Sequence, residues 1–139
     1  MEQFLIAHDL GTSGDKATLF TTEGRQVRSY TASYDVHFFH GNYAEQDPEN
    51  WWDAVCEATK AVLDGEDPKQ VVGMSFSAQM QGCLVVDKHG NPLRDSMIWA
   101  DQRAVKEAEQ LEKTIGTDRI YQITGHRVSA SYSIEKLMW

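Results

Sequence analysis

The stretch Asp9-Leu10-Gly11-Thr12-Ser13-Gly14-Asp15-Lys16-Ala17 lies between two apolar runs, residues 4–7 and 17–20. Apolar runs joined by a short segment of Gly, Thr and Ser predict a β-hairpin. The glycines permit close approaches of the backbone that a side chain would block, and backbone N–H groups at such a tip can converge on one anion. The stretch therefore predicts a hairpin that holds a phosphate.

The polar side chains of this hairpin fit the same chemistry. Thr12 and Ser13 carry hydroxyl donors, and Lys16 supplies a positive charge. Asp9, at the end of the first strand, is suited to hold a magnesium ion through water. An ordinary Gly-rich turn with a solvated Asp accounts equally well for the pattern Asp-x-Gly-Thr alone. The choice between these two interpretations depends on residues further along the chain.

Composition limits the classes of protein to consider. Of the 139 residues, 41% are hydrophobic, which is sufficient for one core of ordinary size. The formal net charge of −8 argues against nucleic acid or an anionic membrane as a partner, because both require a basic face. No apolar run approaches the roughly 20 residues that cross a bilayer. Cys56 and Cys83 fit no metal or redox spacing, and we expect a cytoplasmic protein with reduced thiols.

Periodicity predicts strands first and helices later. Residues 3–9, 16–22 and about 26–34 alternate or run apolar and predict an antiparallel meander. Residues 70–77 and 83–87 predict two further strands. Together with the helices that follow, this order predicts an α/β fold in which helices pack against a mixed sheet.

Three helices are predicted from their end signals. A loop over residues 37–46 leads to Asp47-Pro48-Glu49, where Asp47 caps the first helix and Pro48 occupies its first turn. A second helix is predicted from about Asp101 to Ile115, with Asp101 as its N-cap, and Thr117 caps a short helix that ends at Gly125. The buried stripe of the first helix is predicted to contain Trp51, Val55, Ala58 and Val62.

Five segments of the chain, in this order, resemble the N-terminal part of the FGGY carbohydrate kinases, and in particular their xylulokinase branch. They are Asp9–Lys16, Glu45–Trp52, Ser77–Gly82, Trp99–Arg103 and Lys136–Trp139. Each segment alone is a weak signal, but five in register over essentially the whole chain are not expected by chance. The chain is therefore identified as a member of this family.

The resemblance implies a ribonuclease-H-like fold of the actin-like ATPase superfamily, in which two domains flank a cleft that binds a sugar and ATP with Mg²⁺. It implies ATP-dependent phosphorylation of a sugar hydroxyl, with the ketopentose D-xylulose as the first candidate. Residues 1–139 would then be a partial N-terminal domain that lacks the second domain, the general base and the adenosine pocket. We expect this chain alone to be inactive. For the complete enzyme, the resemblance allows a homodimer.

Residue by residue, the resemblance implies a nucleotide side and a sugar side. Asp9 corresponds to the carboxylate that is linked to magnesium through water at the transferring phosphate. The nucleotide phosphates are lined by Gly11, Thr12, Ser13, Gly14 and Lys16. The sugar side contains Gln79, Met80, Gln81, Trp99 and Asp101. Gln81 stands where the xylulokinase pattern has His, and this difference leaves the identity of the sugar open.

Two other classes of protein share parts of this pattern. A ribonuclease-H-type nuclease would share the meander and Asp9, but it needs further clustered carboxylates and a basic surface. A non-catalytic nucleotide-binding or interaction module of the actin-like superfamily would share the hairpin. The segments 79–82 and 99–103 favour a kinase over this alternative.

Overall fold

Strands dominate the first half of the chain and helices the second half. The structure is a computed structural model that describes residues 2–139. Its elements are β1 (Phe4–Leu10), β2 (Gly14–Thr21), β3 (Gln26–Ser33), β4 (His37–Phe39), β5 (Tyr43–Gln46), α1 (Pro48–Val62), β6 (Val71–Ala78), β7 (Ser96–Met97), α2 (Val105–Thr114), α3 (Thr117–Thr124) and α4 (Ser133–Met138). They form two units. The first comprises the chain up to Val36 together with Asp47–Gln79, and the second comprises His37–Gln46 and Met80–Trp139.

The first unit is built on a mixed four-stranded sheet. β1 pairs antiparallel with β2, and β2 pairs antiparallel with β3, so the predicted meander is confirmed. β6 adds to the other side of β1 as a parallel strand, which gives the order β3-β2-β1-β6. The strand predicted over residues 70–77 is therefore also confirmed.

α1 covers one face of this sheet. The Asp47 side chain accepts a hydrogen bond from the Glu49 N–H at 2.9 Å, as expected for the N-cap. Three residues of the predicted stripe, Val55, Ala58 and Val62, are buried, and Trp51 packs partly buried against the core. The core contains Phe4, Ile6, Ala17, Leu19, Ala32, Tyr34, Ala54, Ala58 and Val62. The apolar spacing of the helix thus accounts for the face that it buries.

A polar pair is buried in this unit. His8 Nδ1 lies 2.7 Å from Asp15 Oδ2, and neither side chain is exposed. His8 Nε2 lies 3.3 Å from Thr59 Oγ1 of α1, and the imidazole stacks on Phe76 of β6 with 4.8 Å between ring centroids. The Thr59 hydroxyl also donates to Val55 O at 2.7 Å, so this contact joins the imidazole to the backbone of α1. His8 therefore connects β1 to β2, α1 and β6.

The second unit contains a three-stranded sheet in which β5 pairs antiparallel with β4 and β7. The loop predicted over residues 37–46 is therefore wrong. His40 and Gly41 have positive φ angles of 49° and 81° and form the turn between β4 and β5. The glycine that suggested a loop belongs to the turn of a short hairpin.

The strand predicted over residues 83–87 is also wrong. Its place is taken by isolated bridges of Cys83 with Met97 and of Val86 with Pro92. β7 is only two residues long and cannot support a longer ladder. The apolar run over residues 83–86 therefore forms two isolated bridges and no regular strand.

Two predicted helix starts need correction. The helix predicted from Asp101 begins at Val105, and Ala104 occupies its cap position without a side-chain hydrogen bond. The short helix ends at Gly125 with a left-handed φ of 77°, as predicted, but Thr117 is its first residue and Gly116 precedes it. Within residues 2–139, no helix has both the length and the apolar character needed to cross a membrane.

Removing one partner of the buried pair should destabilise the protein strongly. Asp15→Ala leaves the His8 imidazole buried without its acceptor, and we expect the free energy of unfolding to fall by about 3–5 kcal/mol. Urea unfolding measures this change. The control is Asp53→Ala on the exposed face of α1, which should alter stability by less than about 0.5 kcal/mol. A small change in both variants would contradict the role assigned to the pair.

Candidate functional site

The β1–β2 hairpin places two charged residues of the predicted phosphate site side by side. Asp9 and Lys16 are cross-strand partners, so their side chains leave the same face of the sheet. Ser77 of β6 is the parallel partner of Asp9 and belongs to that face as well. All three are exposed, whereas the adjacent His8 and Asp15 point to the buried face. A carboxylate, an ammonium and a hydroxyl thus share one open face.

Tyr34 fastens the turn of this hairpin. The Gly11 N–H donates to Gly14 O at 3.0 Å, and the Tyr34 N–H donates to Ser13 O at 3.2 Å. The Tyr34 hydroxyl donates to Gly11 O at 2.7 Å. Burial, together with the negative charges of Asp15 and Asp9, raises the pKa of Tyr34 to about 12, so the hydroxyl keeps its proton at neutral pH. An anion at the tip would have to compete with Gly14 O for the Gly11 N–H.

The two glycines of the hairpin differ in what they permit. A Cβ at Gly14 would lie 2.6 Å from Ala32 O of β3, a distance that side chains do not tolerate. A Cβ at Gly11 would meet nothing closer than Gly14 O at 3.5 Å, which is ordinary contact. Within the protein itself, a close approach that only glycine permits is therefore present at Gly14, whereas the space beside Gly11 is open.

The candidate sugar-side residues begin at the end of β6. Gln79 belongs to the first unit, where its N–H donates to Leu10 O at 3.0 Å. Met80 and Gln81 belong to the second unit and line a groove of about 540 Å³ together with the stacked rings of His126 and Tyr132. The Met80 side chain is 76% exposed. The lining of this groove is mostly apolar and includes the polar side chains of Gln81, Thr124 and Ser133.

Two side chains of α4 bind the backbone of the Gln81 turn. Gln81 adopts a left-handed conformation with φ of 62°. Lys136 Nζ donates to Gln81 O at 2.8 Å and to Ile98 O at 2.6 Å, and Ser133 Oγ donates to Gly82 O at 2.9 Å. Lys136 is 1% exposed, and burial lowers the pKa of its ammonium. The turn that carries Gln81 is thus held through its carbonyl groups.

Asp101 is enclosed by donors from the protein itself. Its carboxylate accepts from the Ala44 N–H at 2.7 Å, from the Arg103 N–H at 3.1 Å and from Arg103 Nη2 at 2.6 Å. Burial acts to raise the pKa of Asp101, but these hydrogen bonds and the Arg103 charge outweigh burial and hold the pKa below its ordinary value. The predicted capping role is wrong because these partners engage the side chain. Trp99, close by in sequence, is 47% exposed.

Arg103 forms the centre of a cluster of charged and aromatic side chains. Its Nη2 lies 2.7 Å from Glu45 Oε1, and Arg94 pairs with the same carboxylate. The guanidinium lies 3.8 Å from the ring centroid of Tyr43 and 4.9 Å from that of Trp139. Burial acts to lower the pKa of Arg103, but the bonds to Asp101 and Glu45 raise it overall. The segment 99–103 is therefore fixed by a permanently charged guanidinium.

Several residues of these sites were not predicted from the sequence. His8 and Asp15 continue the period-2 pattern of buried positions in β1 and β2, so a polar pair on the core face was detectable from alternation. Tyr34 and Lys136 gave no such signal, because they meet Gly11 and Gln81 only through the folded chain.

Comparison with known proteins identifies the family. The model of the N-terminal domain of the FGGY family of carbohydrate kinases matches residues 4–139. The chain belongs to this family. A xylulose kinase from Staphylococcus xylosus is 36% identical over 136 residues, which are 98% of this chain and 28% of that kinase. The chain thus spans about 28% of the length of this relative.

Solved FGGY-type structures share the fold closely. The ligand-bound xylulose kinase from Lactobacillus acidophilus superposes with a TM-score of 0.91 at 27% identity, covering 99% of this chain and 28% of that one. A gluconate kinase from Lactobacillus acidophilus superposes with a TM-score of 0.92 at 27% identity, covering 100% of this chain and 28% of that one. The resemblance to FGGY kinases is confirmed, as is the mixed α/β fold of the actin-like ATPase superfamily.

The stabilisation that Asp101 provides should disappear in acid. Because the pKa of Asp101 in the folded protein is held below its ordinary value of 3.8, its contribution is complete above that pH and is lost as the pH falls through the lowered pKa. The difference in unfolding free energy between wild type and Asp101→Asn should therefore be largest near neutral pH and shrink below about pH 4. Urea unfolding across this range measures it, and a difference independent of pH would contradict the assignment.

Proposed function

We propose that this chain is the N-terminal part of a kinase that transfers a phosphoryl group from ATP to a sugar hydroxyl, with D-xylulose as the first substrate to test. The observation that carries the proposal is the family match over residues 4–139. The 36% identity to a xylulose kinase supports the choice of sugar. A gluconate kinase has the same scaffold, so the choice among sugars rests on the side chains of the sugar side.

We assign the phosphate end of the reaction to the β1–β2 hairpin. Phosphoryl transfer depends chiefly on positioning and charge neutralisation. The proposed lining of the nucleotide phosphates is Gly11, Thr12, Ser13 and Gly14, with Lys16 as the approaching positive charge. The exposure of Lys16 beside Asp9 supports this assignment, since both side chains are open to a ligand on one face.

Asp9 is proposed to hold Mg²⁺ through water. Within residues 2–139 no group of three or more His, Cys, Asp and Glu side chains could hold a metal ion. Such a group is not required, because magnesium at phosphoryl-transfer sites is commonly held by one or two carboxylates together with substrate phosphates and water. The exposed Asp9 carboxylate fits that arrangement. When bound, the ion would neutralise charge on the phosphate oxygens.

The sugar end is assigned to the segments around Gln81 and Trp99. Met80, Gln81 and Trp99 are proposed to contact the sugar, and the Gln81 amide can both donate to and accept from a hydroxyl. Gln79 precedes them in the same segment. Asp101 is completely buried and its oxygens are bonded to Ala44 and Arg103, so we assign it to holding the segment that carries Trp99 rather than to contact with the sugar.

Sugar-dependent ADP release by the complete enzyme tests the proposed function. The panel should contain pentuloses, hexuloses, polyols and gluconate, each with ATP and Mg²⁺. We expect one ketopentose to stimulate release strongly and the phosphorylated sugar to appear in equal amount. ATP binding without stimulation by any sugar would favour the non-catalytic nucleotide-binding module instead.

Asp9→Asn should separate turnover from sugar binding. Loss of the carboxylate weakens the placement of charge at the transferring phosphate, so we expect kcat to fall by about 100-fold or more while the sugar Kd stays nearly unchanged. Steady-state kinetics and calorimetry measure the two quantities. Asp53→Asn on the exposed face of α1 is the matched control and should keep wild-type turnover. Near-normal turnover in Asp9→Asn would exclude the metal role.

Gln81→Ala should change the kinetics of the sugar alone. The variant loses an amide that is proposed to meet a sugar hydroxyl, so we expect the sugar KM to rise about tenfold. The preference for the best sugar over its deoxy analogue should narrow. The KM for ATP should stay within about twofold of wild type. Gln110→Ala, at an exposed position of α2, is the control. Unchanged sugar kinetics in Gln81→Ala would place this side chain outside the site.

A further inference from the structure

We propose that Lys136 is a positioning residue of the sugar side: its buried ammonium holds the carbonyl oxygens of Gln81 and Ile98, and thereby orients Gln81 and Trp99 toward the sugar. The inference rests on the proposed function. The ammonium lies 2.8 Å from Gln81 O and 2.6 Å from Ile98 O. Lys136 itself is 1% exposed and acts behind these residues.

Lys136 links two segments that both carry candidate sugar contacts. Gln81 follows Met80 in one segment, and Ile98 immediately precedes Trp99 in the other. Backbone hydrogen bonds between Cys83 and Met97, at 2.8 and 3.2 Å, join the same two segments one bridge away. The Lys136 ammonium joins the two segments again at Gln81 and Ile98, next to the proposed contact residues. A single group thus sets the relative placement of both.

The backbone at Gln81 requires such support. Its φ of 62° lies in the left-handed region, which residues other than glycine seldom occupy. A conformation of this kind persists only where the surrounding structure holds it. Two consecutive carbonyls of the turn are bound from α4: Gln81 O by Lys136 and Gly82 O by Ser133 Oγ at 2.9 Å. These bonds supply the required restraint.

The chemistry of the buried ammonium points to the same role. The two acceptors bonded to the Lys136 ammonium are backbone carbonyls. Burial lowers the pKa of this ammonium overall, since the nearby charges of Asp101 and Glu135 offset only part of the cost of its burial. Burial of an ammonium is unfavourable, and an apolar side chain of equal length would fill the space without that penalty. The advantage of lysine at this position therefore lies in the carbonyl groups that it orients.

The kinetic test uses Lys136→Met in the complete enzyme, with Lys106→Met at an exposed position of α2 as the matched control. We expect Lys136→Met to raise the sugar KM about tenfold and to leave the KM for ATP within about twofold. In a Gln81→Ala background, the same substitution should raise the sugar KM by a smaller factor than in wild type, because only its effect on Trp99 remains. Additive effects of the two substitutions would overturn the proposal.

Hydrogen exchange supplies a readout that does not depend on activity. In Lys136→Met, peptides that cover residues 79–84 and 97–100 should exchange faster, while peptides of the hairpin over residues 5–17 should keep their wild-type rates. Ser133→Ala, which removes only the bond to Gly82 O, is the milder second variant if Lys136→Met does not fold. It should raise exchange in the 79–84 peptide and raise the sugar KM by about two- to fivefold.

The outcomes separate this inference from the proposed function. If the wild-type enzyme phosphorylates no sugar, the proposed function fails, and the exchange data alone decide whether Lys136 orders the turn. If wild type is active and a folded Lys136→Met shows unchanged sugar KM and unchanged exchange, the positioning role is wrong and the proposed function stands. Equal changes in the KM values for sugar and ATP would indicate a general structural role and would also overturn the inference.

Discussion

The hydrogen bond between His8 and Asp15 sets the geometry of the first unit. Both side chains lie on the core face of their strands, so the alternation of a β-strand turns their neighbours Asp9 and Lys16 to the opposite face. Two apolar residues would fill the same space without a directional bond between the two strands. A shift of one residue between β1 and β2 would separate the imidazole from its carboxylate, so the pair favours one register. The placement of Asp9 and Lys16 on the β1–β2 hairpin is therefore coupled to an interaction on the opposite face of the sheet.

The second unit uses buried charge in a related way, but its partners are often backbone atoms. Asp101 accepts from the Ala44 N–H, and Lys136 donates to the carbonyls of Gln81 and Ile98. Its regular elements are short, and β7 has only two residues. Few ladder hydrogen bonds are available to position the irregular segments between these elements. Buried ionic side chains supply the missing donors and acceptors.

The features that could be predicted from the sequence are those whose causes lie close together in the chain. The meander follows from alternation, Asp47 caps a helix that starts at the next residue, and the β1–β2 hairpin is one contiguous segment. The errors concern residues whose partners are distant. Asp101 looked like a cap because the amide of Ala44 cannot be seen from its neighbours. Residues 83–86 are a continuous apolar run typical of a buried strand, but the strand next to them, β7, has only two residues.

The hydrogen bonds from two side chains of α4 to the carbonyl oxygens of the Gln81 turn also bear on how ligand selectivity can change. Lys136 and Ser133 bind a group that every amino acid carries, so the path of the turn is indifferent to the side chain at position 81. Replacement there is limited mainly by tolerance for a left-handed backbone, which His and Asn share. The side chain that we propose to meet the ligand can therefore be exchanged while the turn keeps its shape. The conformation of the turn and the identity of the side chain at position 81 are thus determined by different groups.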